Sequence, residues 1–274
     1  MIPMNMTNTI VDEVNNDFLK FCHSSTERRL ITSFSEDDQI RQLFEQLYKL
    51  SFCLYNLFES DVTNSPNHAE LNMYINFLRR DLISTLDLLN LQHIDSSKKE
   101  CRSIIESIIR ISLFTEREAI YKNNIHNHIY HSTSELKELK SAVTTHKIGR
   151  LTTCAQNYFS DSIISDCVSQ LNQDYSSFSK LTHTNEKLGS KTITTLNAVS
   201  NISPAVLQSS IMDIIRIIEN SILCIYYVNV RLVNGQFLNR THSKYIEITS
   251  DEQYVANHLS QISEFAYNLS LQPN

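Results

Sequence analysis

Glycine is scarce in this chain: only Gly149, Gly189 and Gly235 occur among 274 residues. A dinucleotide-binding or P-loop enzyme needs glycine where backbone must approach phosphate. Neither G-x-G-x-x-G nor G-x-x-x-x-G-K-[ST] is present. A sandwich or barrel of many short strands also usually needs more glycine at its turns. Proline is nearly as scarce, at Pro3, Pro66, Pro204 and Pro273. Long helices need neither residue in their interiors. No C-x-x-C, H-E-x-x-H or G-x-S-x-G occurs, and no cofactor motif is found, so no cofactor is expected. The six cysteines are scattered singly, mostly among apolar residues at helical spacing. They read as free thiols in a reducing, cytoplasmic setting. The first residues lack a basic segment followed by an apolar run, so no signal peptide is expected. No uninterrupted apolar run reaches the roughly 18 residues of a membrane span.

What is present is a globular composition, 41% apolar and 20% charged. The net charge of −6 argues against a broad grip on nucleic acid. A local basic stretch carries Lys137, Lys140, His146, Lys147 and Arg150, and its plain reading is a solvated helix face. The expectation is an all-α bundle forming a single domain over 1–274, with a loose segment at 1–34.

Apolar residues at spacings of three and four support that bundle. A short helix is expected over about 9–23. Ser35 then reads as an N-cap before a helix carrying Leu43, Leu47, Leu50 and Leu54. The next helix, over about 67–91, carries Leu71, Ile75, Leu78 and Leu82. Ser97 with Glu100, and Ser132 with Glu135, read as capping boxes opening further helices. Two more helices are expected near 160–173 and 174–183, then a polar connection over 184–203. Ser203-Pro204 is a start signal for a helix at about 204–233 that is apolar nearly all round, as the centre of a bundle is. Asn234-Gly235 offers a helix end or a hairpin turn, so a short β-ribbon near 227–249 stays open. A last amphipathic helix starts near Gln253.

Three constellations could carry chemistry. Arg102, Glu106 and Arg110 form an i, i+4, i+8 ladder, either a solvent-facing stripe or an ionic cluster against the helix bearing Asp213, Arg216 and Glu219. Charges on so apolar a helix need partners. Tyr175, Ser179 and His183 share one spacing, and His183 is either a helix C-terminal cap or a general base near the arginines. His126, His128 and His131 fall within six residues, but no carboxylate or cysteine adjoins them and their spacing fits no standard metal site. Ser-x-x-Lys at Ser96, Ser134 and Ser177 reads as chance in a serine-rich chain.

The Arg-x-x-x-Glu-x-x-x-Arg helix followed by Tyr-x-x-x-Ser-x-x-x-His resembles uncharacterised bacterial helical families grouped with the HEPN proteins of toxin–antitoxin and phage-defence loci. The resemblance covers about a third of the chain. HEPN ribonucleases resemble one another in an Arg followed, after four to six residues, by His, and no arginine here has a histidine at that distance. The leading expectation is therefore a protein-interaction component of a phage-defence or stress system, binding a protein partner or itself. An enzyme acting on RNA or a nucleotide through Arg102, Arg110, Arg216 and His183 is the alternative. A small-molecule sensor using the same polar cluster is a third. Convergence of these residues in one cleft would favour the last two; pairing with Glu106, Asp213 and Glu219 would favour the first.

Overall fold

The computed structural model describes residues 12–16, 18–19, 38–57, 68–182, 203–232 and 253–271. Every regular element among them is helical, as the composition predicts. The elements are α1 (Gln39–Asn56), α2 (His68–Asn90), α3 (Ile94–His126), α4 (Ser134–Val143), α5 (Ile148–Tyr158), α6 (Ser165–Thr182), α7 (Pro204–Leu232) and α8 (Gln253–Ser270). Residues 12–16 and 18–19 are also helical, within the expected N-terminal segment.

Two long helices make the centre. Helix α7 starts as expected: Pro204 is its first residue and the Ser203 hydroxyl accepts from the Val206 amide at 3.4 Å. Of its 29 residues, 18 are buried, which is why it is apolar on all sides. Helix α3 matches it, with Ser107 to Glu116 buried without a break. At 33 residues it is about 50 Å long. The two helices pack on each other; α2, α4, α5 and α6 pack on α3, while α1, α6 and α8 pack on α7. One cluster of buried apolar side chains runs from Ile40 to Ala266. Burying each such leucine or isoleucine stabilises by roughly 1.5–3 kcal/mol. No described helix is long and apolar enough to cross a membrane.

Several expectations are corrected. The ribbon fails at its first strand, because residues 227–232 continue α7 to Leu232. The rest of 227–249 lies outside the described residues, as does Ser35. The cap of α1 is Asp38, whose carboxylate accepts from the Ile40 amide at 2.8 Å. The cap of α4 is Thr133 rather than Ser132, accepting from the Leu136 amide at 3.3 Å. Ser97 caps nothing: it is buried in the first turn of α3 and donates to the Ile94 carbonyl at 2.8 Å. One helix, α6, replaces the two expected over 160–183. Helix α5 was not expected, its stripe being short and interleaved with polar residues.

The scarcity of glycine has a local counterpart. Gln92 (φ 61°) and His128 (φ 58°) take the left-handed conformation that ends a helix and that glycine usually supplies. At Gln92 the chain turns back: the His93 amide donates to the Leu88 carbonyl at 2.8 Å, and α3 starts at once. That tight turn makes α2 and α3 antiparallel neighbours.

Candidate functional site

Successive steps of four on a helix drift by about 40°, so Arg102 and Arg110 are turned roughly 80° apart. The structure shows the consequence. Arg102 faces α6, its Nη2 donating to the Tyr175 hydroxyl at 3.2 Å and its Cζ 5.2 Å from the Tyr175 ring centre. Arg110 faces α2 and the end of α4. Its guanidinium donates to the Val143 carbonyl, and at 2.9 Å to the Thr145 carbonyl and to Glu106 Oε1. It lies 5.6 Å from the Tyr74 ring and is only 8% exposed. Arg110 thus clasps the last carbonyl of α4 and one two residues past it, where a cation also meets the negative end of the helix dipole.

Arg216 is taken up by carboxylates, one of them on the α6 residue next to Tyr175. Its Nη2 donates to Asp174 Oδ1 at 2.9 Å and to Asp213 Oδ1 at 3.3 Å. The Asp174 carboxylate is nearly buried and also accepts from Gln170 at 3.3 Å. Lys98 completes the group, with Nζ 3.7 Å from Asp213 Oδ2 and 5.5 Å from the Phe178 ring. Cation α3–acid α7 contact therefore exists, but through Lys98, one turn before Arg102. Glu219 is buried within α7. His183 lies outside the described residues. Arg102 and Arg216 thus meet neighbouring residues of α6, each with its own bundle partner, while Arg110 is held apart at the end of α4.

Sequence reasoning missed one buried ionic group. Glu116 is fully buried in the middle of α3. The Tyr158 hydroxyl of α5 donates to its Oε2 at 3.2 Å, and Arg231 Nε of α7 lies 3.3 Å from its Oε1. Burial pushes the Glu116 carboxyl up, against the pull of Arg231 and Tyr158. Burial, and then the Glu116 charge, raise the Tyr158 phenol as well. This group joins three helices rather than lining an opening. A signal did exist in the sequence: Glu116 continues the α3 stripe at a position where the pattern wants an apolar residue.

A second tie fixes α8. The Tyr254 hydroxyl donates to Asn220 Oδ1 at 3.1 Å and lies 3.4 Å from Cys167 Sγ. Burial pushes the Cys167 thiol up to about 11 and the Cys101 thiol up to about 12. Thiols held there are protonated at neutral pH and are poor nucleophiles. Cys53, Cys101, Cys154, Cys167 and Cys224 form no disulfide.

His126, His128 and His131 are all exposed. His126 ends α3, and His128 Nδ1 lies 3.0 Å from the Tyr130 hydroxyl. Among the described residues no group of three or more His, Cys, Asp or Glu is placed to hold a metal ion. Lys137, Lys140, His146, Lys147 and Arg150 are exposed along α4, its connection and the start of α5, as a solvated face would be. No protein-family model, no curated protein and no solved structure matches the chain.

Proposed function

We propose that this chain is a helical interaction component that acts by binding a protein partner or a second copy of itself. One observation carries the reading. Arg102, Arg110 and Arg216 are each held by groups of the bundle itself: Tyr175, the end of α4 with Glu106, and Asp174 with Asp213. A phosphate-handling site needs cations aimed together at the place where charge develops. Apolar side chains standing in water add support. On α2, Met73 and Phe77, one turn apart on the same side, are 41% and 40% exposed, and Ile83, about a third of a turn round from Phe77, is 55% exposed. Such side chains on a helix face are what a partner would cover. The setting in a bacterial phage-defence or stress system rests on the resemblance carried by the Arg102–Arg110 and Tyr175–His183 spacings. The test is size-exclusion chromatography with light scattering on the protein co-expressed with its genomic neighbours. A complex or oligomer supports the reading, and a monomer that brings nothing with it opposes it.

A further inference from the structure

Helix α3 ends in a turn that builds a groove. The His128 and Ile129 amides donate to the Ile125 and Asn124 carbonyls at 3.0 and 2.7 Å, so the left-handed turn at His128 satisfies these final carbonyls. The chain then folds back past the helix towards α4. The space enclosed is about 390 Å³, a size that suits a small molecule. Arg117, Tyr121, Asn124 and Ile125 reach it from one face of α3, and Lys140 reaches it from α4. Tyr130 and His131 close it from the connection.

Two features of the lining bear on what the groove could hold. Tyr121, Ile125 and Tyr130 are 45%, 42% and 76% exposed, so three large apolar side chains surround one opening. Among the described residues, neither Arg117 nor Lys140 has a carboxylate within ion-pair distance. The one acid of the lining, Glu118, is itself only 3% exposed and leaves the two cations in excess.

We propose that this groove binds a small molecule that joins a planar ring to a phosphate or carboxylate. The ring meets Tyr121 and Tyr130, and the anion meets Arg117 and Lys140. This site is separate from the protein-binding surface, and either proposal can fail without the other.

The test is isothermal titration of the whole chain with four probes: adenosine monophosphate, benzoate, adenosine and inorganic phosphate. Saturable binding of a ring-bearing anion is expected, with adenosine or phosphate alone at least about tenfold weaker. Adenosine monophosphate binding without benzoate assigns a phosphorylated ring, and the reverse assigns an aromatic acid. Lys140→Ala and Tyr130→Ala alter exposed side chains, so their melting temperatures should match the wild type while affinity falls about tenfold. No saturable binding of either ring-bearing anion overturns the proposal. So does phosphate binding as tightly as the best ring-bearing anion, or affinity unchanged in both variants.

Discussion

Replacing Arg110 with alanine separates a structural arginine from a working one. Its guanidinium holds the Val143 and Thr145 carbonyls, pairs with Glu106 and lies over Tyr74. Each hydrogen bond from a charged donor is worth roughly 1.5–3 kcal/mol. The Glu106 pair adds only a few tenths, because that carboxylate keeps 31% of its exposure and can rehydrate. Water entering the vacated space will satisfy part of the carbonyls, which brings the expected loss to about 3 kcal/mol. For a chain of this size that lowers the melting temperature by roughly 6–12 °C. Thermal and urea unfolding followed by circular dichroism give both numbers. Arg110→Lys places one point charge where a fork reached two carbonyls, and should recover about half the loss. A melting temperature within about 2 °C of the wild type would refute the reasoning. Arg110 would then be dispensable to the frame and available for a ligand.

Other outcomes follow from the same contacts. Arg216→Ala leaves the nearly buried Asp174 without its cation and should cost about 1–3 kcal/mol. Adding Asp174→Asn should return much of it, and a double-mutant cycle that shows no coupling would contradict the pairing. Burial raises the Glu116 carboxyl above its ordinary 4.5, so the folded state holds that proton more tightly than the unfolded chain. Its contribution is therefore fully present below about pH 4.5 and is lost as pH rises through the higher folded value. Glu116→Gln should gain stability relative to wild type as pH rises across that window, and urea titrations showing the opposite slope would refute it. Ile214→Ala, in the fully buried stripe of α7, should cost about 2–5 kcal/mol by the same unfolding assay. Gln92→Gly should stabilise by about 0.5–1 kcal/mol, since its left-handed conformation suits glycine, and a loss of stability would show the strain to be absent.

The helical frame was legible where one signal sufficed. The start of α7 needed only Ser203 and Pro204, and its central place only the apolar side chains around it. Capping signals were ambiguous because hydroxyl and acid residues cluster before helices: Asp38 and Thr133 took roles that Ser35 and Ser132 could equally have filled. The Ser97–Glu100 pattern misled because Gln92 takes the left-handed turn without being glycine, so α3 begins one turn earlier. The ladder of Arg102, Glu106 and Arg110 was legible as a helix face, but its partners were not. Arg110 meets carbonyls 33 and 35 residues away, and Arg216 meets Asp174 at 42. The Glu116 group is the extreme case, since its tyrosine lies 42 residues off on α5, a helix whose short, polar-interleaved stripe does not announce it. Periodicity reports which face is buried and says nothing of which distant residue shares it.

The interaction reading stands or falls on the size of the particle in solution. Light scattering on the protein co-expressed with its genomic neighbours should give a mass above the 31.7 kDa of one chain, from a second copy or a co-purifying partner. Phe77→Asp, on the exposed side of α2, should reduce that mass if this is the covered face. A monodisperse 31.7 kDa particle with no second protein would contradict the account.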